Sequence, residues 1–145
     1  MRHFLFACAV VLLASCAGKS DNIPFEQAKG YFLRNDVEAD SVPSKITSQE
    51  QLLQFFGMAT VMGEDGKPTA IDFDKSFVIP VIYPETDVET TIKVDGLVRT
   101  ASKEMTLSVS TVRGEEHESY TIRPVLLLVV DNLYRDDAVI LQAGE

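Results

Sequence analysis

One stretch decides the fold class: Lys75-Ser76-Phe77-Val78-Ile79-Pro80-Val81-Ile82-Tyr83. It concentrates β-branched and aromatic residues without a helical period, and it therefore predicts a largely buried β-strand. Proline has no backbone N–H group, so Pro80 costs this strand one ladder hydrogen bond. We therefore expect either a bulge or a sheet edge at Pro80.

Similar patterns predict strands on both sides of this stretch. Met105, Leu107 and Val109 alternate strictly with small polar residues, which is typical of a half-exposed strand. The dipeptide Asp95-Gly96 is expected to interrupt its strand by a turn or a bulge. The predicted strands are residues 30–35, 75–83, 90–99, 105–112, 119–123, 125–131 and 138–142.

A single helix is predicted from a capping box. Thr47 and Glu50 are spaced so that each side chain can bond the other's backbone N–H group. The apolar residues that follow recur at helical spacing, and turn residues at 63–68 end the helical region. These apolar residues are Leu52, Leu53, Phe55, Phe56 and Ala59. The fold class is therefore α+β, mainly an antiparallel β-sheet or sandwich with one helix packed on a face.

Composition limits the number of domains and the type of partner. The chain has 145 residues, of which 46% are hydrophobic, and this suits one domain with an ordinary core. Lys and Arg number 13 against 22 Asp and Glu, for a formal net charge of -9. An acidic surface of this kind argues against binding to a nucleic-acid backbone.

The N-terminus predicts export. Residues 1–15 combine a basic start, an apolar segment of secretory length and small residues, as in a signal peptide. Leu13-Ala14-Ser15-Cys16 resembles the lipobox of bacterial lipoproteins. This resemblance implies cleavage before Cys16, a diacylglycerol on its thiol and acylation of the new amine by a chain such as palmitate. The alternative is an ordinary secreted protein with an incidental cysteine.

Three segments follow from this prediction: a signal peptide at 1–15, the acylated Cys16 with its tether at 16–24, and a single α+β domain at 25–145. Cys8 is removed with the signal peptide, so no thiol remains for a disulfide or a metal. By resemblance to the sorting rule of Gram-negative lipoproteins, the absence of Asp after Cys16 favours the outer membrane. The periplasmic face and the cell surface both stay open.

Catalytic patterns are weak. His117 is the one histidine left after the signal peptide, and neither a nucleophile elbow nor a second base accompanies it. Its neighbours Glu115, Glu116 and Glu118 are adjacent in sequence, and such side chains point apart. We therefore favour a solvated polar turn at 113–118 over a metal site, and we expect no cofactor, no metal and no enzymatic activity.

Two alternatives remain beside a binding function. Asp72 and Asp74 place two carboxylates on one side of an extended segment, which suits Ca²⁺ binding or glycosidic acid/base chemistry. We favour a polar entry to the buried strand, but a small hydrolase or glycan-processing enzyme stays open. A carrier of an apolar ligand stays open as well, and it requires a cavity inside the sheet.

Two exposed acidic segments are the candidate partner-binding residues. Residues 84–88 are expected to form a loop between two strands, and loops on rigid scaffolds commonly carry contacts to partners. The predicted turn at 115–118 is the second candidate. The candidate residues are Pro84, Glu85, Thr86, Asp87, Val88, Glu115, Glu116 and Glu118.

Residues 46–130 resemble the C-terminal domain of the PrcB family, which are bacterial envelope proteins associated with regulation of a protease complex. The resemblance rests on the helix after Ile46, on residues 71–79 and on residues 120–126. The family has a glycine-rich turn after the buried strand, whereas residues 84–91 contain no glycine. The resemblance implies a non-catalytic regulator or inhibitor of a protease. The whole chain also resembles small uncharacterised lipoproteins of anaerobic Gram-negative bacteria, a resemblance that implies no activity.

Overall fold

The computed structural model describes residues 21–144, apart from the side chains of Glu64 and Ala101. The predicted signal peptide and Cys16 lie outside these residues. One α-helix, α1 (Gln49–Phe55), accompanies nine strands, and the α+β prediction is confirmed. The strands are β1 (Asp21–Asn22), β2 (Phe25–Ala28), β3 (Tyr31–Leu33), β4 (Phe56–Met58), β5 (Ser76–Ile82), β6 (Thr86–Ala101), β7 (Glu104–Ile122), β8 (Val125–Asp131) and β9 (Ala138–Ala143).

These strands form three sheets. The largest has the order β1-β6-β7-β9, the second has the order β2-β8-β5, and β3 pairs with β4 alone. All pairs are antiparallel except β7 with β9, which run parallel in an unbroken register from Glu104 opposite Ala138 to Val109 opposite Ala143.

The sheet of β2, β8 and β5 is the central layer, and it is covered on both faces. Phe77 and Leu128 face the sheet of β6 and β7 in one core, whereas Val78 and Leu127 face α1 and β4 in a second core. Neighbouring residues in a strand point to opposite faces. Burial of both faces therefore explains why β5 and β8 are continuously apolar.

Pro80 marks an edge. β5 pairs with β8 in an uninterrupted register, and no other named strand of the described chain pairs with its far side. The backbone N–H and C=O groups of Val78 point away from β8, and each forms a hydrogen bond of 2.8 Å with Ile46. Pro80 lies two residues further and shares that direction. Its missing N–H group therefore interrupts no bond to β8.

The helix begins one residue later than the capping box predicts. The N-cap is Ser48, whose hydroxyl accepts a hydrogen bond from the Gln51 backbone at 3.1 Å. The Gln51 side chain reaches back and accepts from the Thr47 backbone at 2.8 Å. The assignment to Thr47 and Glu50 is wrong because Ser48 and Gln51 supply the two capping side chains instead. The bond from Gln51 differs from that of a capping box, since it goes to the residue before the N-cap.

The helix is also shorter than predicted. Phe56 is buried, but it lies in β4 and pairs opposite Leu33. Leu53 and Ala59 are exposed. A helical stripe and a short strand both bury selected apolar residues, so the spacing of this segment does not distinguish them.

The last part of the predicted tether belongs to the folded domain. β1 pairs Asp21 with Arg99 and Asn22 with Val98, and Ile23 is buried in the first core. The folded domain therefore includes Asp21, Asn22 and Ile23, which the prediction assigned to the tether, because two of them pair with β6 and the third is buried.

Candidate functional site

β6 and β7 form a long two-stranded ribbon. The part of it next to β5 and β8, called here the acidic ribbon, comprises residues 85–90 and 112–122. Thr86 lies opposite Ile122, Val88 opposite His117 and Thr90 opposite Arg113, so five residues of β6 face ten of β7. The surplus residues of β7 bulge outward, and residues 112–121 are all exposed.

The acidic ribbon joins both candidate segments. Val88 and His117 are partners in the ladder, so segments about 30 residues apart in sequence are neighbours. The prediction of a loop is wrong from Thr86 to Val88, because these residues begin β6. Val88 is buried, with 7% of its surface exposed. Of the five candidate residues at 84–88, Pro84 and Glu85 lie in the connection between β5 and β6, and both are exposed.

The predicted turn at 113–118 is wrong as well. Glu115, Glu116 and Glu118 lie inside β7, and all three are exposed. Gly114 and the run of charges suggested a turn because such residues are depleted in ordinary strands. An exposed ribbon with bulges accommodates them, since it buries neither face there. Of the turn or bulge predicted at Asp95-Gly96, the structure has a register shift between Val94 and Gly96 inside a continuous strand, and no turn.

A close contact between the side chains of Asp87 and His117 connects the two strands of the ribbon. The Asp87 carboxylate lies 2.8 Å from Nδ1 of His117. This hydrogen bond from His117 holds the pKa of the Asp87 carboxyl below its usual value. Because both side chains are largely exposed, the contact orients them and adds little stability.

Most carboxylates of the acidic ribbon face water. Glu85 pairs with Arg123 at 3.3 Å. Arg113 donates to the Thr86 hydroxyl at 3.4 Å. Within the described residues, no ion pair is formed by Glu89, Glu115, Glu116 or Glu118. The ribbon therefore presents a negative surface that suits a positively charged partner.

An open groove of about 370 Å³ lies on the ribbon. Tyr120, 60% exposed, lines it beside Val88 and Ile122, with Asp87, Glu89 and Glu118 at the same groove. Sequence reasoning missed Tyr120 and Glu89. Exposed aromatic side chains are enriched at protein-binding surfaces. An aromatic residue within a polar run was the available indication in the sequence.

Asp72 and Asp74, the two carboxylates predicted to lie on one side of an extended segment, lie in a turn. The Asp72 carboxylate accepts a hydrogen bond from the Asp74 backbone at 3.0 Å, and the Asp72 carbonyl accepts from Ser76 at 2.9 Å. Both aspartates are exposed. This geometry is a side-chain-stabilised turn that leads into β5, and it accounts for both residues without catalysis. The enzyme alternative stays a prediction.

Between Asp21 and Gly144, no group of three His, Cys, Asp or Glu side chains is close enough to hold a metal ion. No helix in the same part of the chain is long and apolar enough to cross a membrane.

Comparison of the chain with protein-family models, with curated proteins and with solved structures finds no match. The lipobox and the resemblance to the PrcB family therefore stay predictions.

Proposed function

We propose that this chain is a lipid-anchored protein of the bacterial outer membrane that binds another envelope protein through the acidic ribbon. The proposed role is that of a non-catalytic regulator or inhibitor of a protease. The observation that carries the proposal is the union of the two acidic segments in one exposed ribbon, with Val88 opposite His117.

The packing of the domain supports a binding module. Two cores fix the central sheet, and the ribbon connects directly to the strands β5 and β8 of this sheet. Within the described chain, a hydrogen bond from Arg34 lowers the pKa of the Asp36 carboxyl, and one from His117 lowers that of Asp87. A carboxyl group that acts as a general acid needs the opposite displacement.

The test of partner binding is a charge reversal. Photo-crosslinking from Tyr120 in the native envelope identifies the partner, and affinity is then measured with the purified pair. Replacement of Glu115, Glu116 and Glu118 by lysine is expected to weaken binding at least tenfold at low salt, with a smaller loss at high salt because salt screens exposed charges.

The matched control reverses three exposed carboxylates elsewhere, Glu26, Glu50 and Asp74. It changes the net charge by the same amount and is expected to leave the affinity within about twofold. Equal losses in both triple variants would reduce the effect to net charge, and an unchanged affinity in the ribbon variant would contradict the proposal.

Lipidation is tested separately. Intact mass spectrometry of the membrane fraction is expected to show the acyl additions on the native chain and none on Cys16→Ser, which should leave the membrane. A native chain without acyl chains would contradict the anchor and leave the ribbon test unaffected.

A further inference from the structure

β9 (Ala138–Ala143) is an open edge of the largest sheet. Within the described chain it pairs with β7 only, so the backbone groups on its far side have no strand partner. Its sequence, Ala-Val-Ile-Leu-Gln-Ala, has no charge, no proline and no bulge. Ile140 and Leu141 are 41% and 50% exposed.

An unprotected apolar edge is unusual, because proteins normally block such edges against pairing with other chains. Every other free edge of the described strands is short or carries a charge or a proline. β1, the opposite edge of the same sheet, has only two residues and contains Asp21. The edge of β5 contains Pro80, β2 contains Glu26, and the acidic ribbon carries carboxylates along both strands. β3 and β4 are only three residues long.

We propose that the β9 edge binds the β9 edge of a second copy of this chain, in an antiparallel pair that joins two sheets into one. The distribution of charge favours a second copy of this chain at the β9 edge. The chain has a formal charge of -9, so contact between two copies elsewhere opposes carboxylates, whereas the six residues of β9 carry none.

The sequence of β9 is self-complementary about Ile140. A two-fold axis through this position places Ile140 opposite its own copy and Val139 opposite Leu141 of the second copy. All of these cross-strand pairs are apolar, and aliphatic pairs stabilise antiparallel strands. A two-fold interface requires this kind of self-complementarity.

A groove beside β9 accepts the side chains of the second copy. It has a volume of about 420 Å³ and lies between β9, the edge of β5 and the segment 39–44. Its lining is mostly apolar and includes Val139, Leu141, Pro43, Ile79 and Val81, with Asp40 as its charged residue. Val139 and Leu141 of the second copy point to this side of the joined sheet and enter the groove.

The first experiment measures oligomeric state. The full chain in detergent is expected to sediment as a dimer in the micromolar range. Ile140→Lys places two ammonium groups face to face and should raise the dissociation constant at least a hundredfold. Met58→Lys, at a position 54% exposed on β4 and outside both the β9 edge and the acidic ribbon, should not change it.

The second experiment tests the register. With Cys8 and Cys16 replaced by serine, Ile140→Cys is expected to form an intermolecular disulfide under mild oxidation, because its copy lies directly opposite. Gln142→Cys occupies the same face, but its copy lies about 14 Å away along the strand, so it should not.

A chain that stays monomeric at all concentrations, with unchanged melting of Ile140→Lys, would overturn the proposal. Equal crosslinking of both cysteine variants would overturn the register. Loss of the dimer leaves partner binding by the acidic ribbon intact, so the two proposals fail independently.

Discussion

Asp137 is the one carboxylate of the described chain that is buried, at 2% exposure. Arg99 approaches it with two nitrogens. Nη2 donates to Oδ1 at 2.9 Å, whereas Nε lies 2.8 Å from Oδ2 at a poor hydrogen-bond angle, so this second contact is mainly electrostatic. Lys45 donates to the Asp137 carbonyl at 2.5 Å. The pair connects the end of β6 to the segment before β9.

Asp137→Ala is expected to lower the free energy of unfolding by about 3 kcal/mol, because it leaves the partly buried Arg99 without its counter-ion. Asp136→Ala, the neighbouring residue with a side chain 88% exposed, should change it by less than about 0.5 kcal/mol. Urea denaturation of both variants measures the difference. Similar values for the two variants would contradict a structural role for the Arg99 pair.

Asp87 reports on the geometry of the acidic ribbon. Its folded pKa is lowered chiefly by the hydrogen bond from His117, so the stability that this carboxylate contributes is present above its unfolded pKa and is lost as pH falls through the folded pKa. His117→Ala should therefore raise the Asp87 pKa toward the ordinary value of 3.8.

Carbon-13 NMR titration of the carboxyl groups measures this change. Asp36 is an internal control, because Arg34 lowers its pKa by a separate hydrogen bond that the substitution does not touch. An Asp87 pKa that does not move in His117→Ala would mean that the two strands do not pair in this register.

At the scale of the element, substitutions at the start of α1 distinguish Ser48 from Thr47 as the N-cap residue. Ser48→Ala should cost about 1 kcal/mol, because the Gln51 backbone N–H group loses its acceptor. Thr47→Ala is the matched control and should cost less than about 0.5 kcal/mol, since Thr47 contributes a backbone group to the cap. Chemical denaturation checks both, and a larger loss for Thr47→Ala would restore the cap that the sequence pattern predicts.

At the scale of the whole molecule, a three-layer arrangement buries both faces of the central sheet, whereas a two-layer sandwich would leave one face exposed. Leu127 lies on the face of β8 opposite the sheet of β6 and β7, and it is buried at 1% because α1, β3 and β4 cover it. Leu127→Ala should therefore cost about 2–5 kcal/mol, the range for a buried leucine.

The control is Leu133→Ala, a leucine 76% exposed, which should be near neutral. Thermal or urea unfolding compares the two variants. A neutral Leu127→Ala would mean that the second core does not form.

The sequence by itself determined the fold class, the buried strand β5 and the strand β8. It also located an interruption at Pro80 and another at Asp95-Gly96, while leaving two alternatives open at each. These features follow from local patterns, namely the alternation of apolar residues and the chemistry of proline and glycine. The cap was predicted in kind and misplaced by one residue, because two adjacent hydroxyl residues offer the same hydrogen bond.

Only the tertiary structure decided the candidate site. Charged residues and Gly114 locally favour a turn, but pairing with β6 holds residues 112–122 extended, and no pattern within either segment encodes that Val88 meets His117. The burial of Asp137 and the open edge of β9 likewise depend on neighbours distant in sequence. A strand's period shows which residues share a face, whereas pairing and packing decide whether that face or edge is covered.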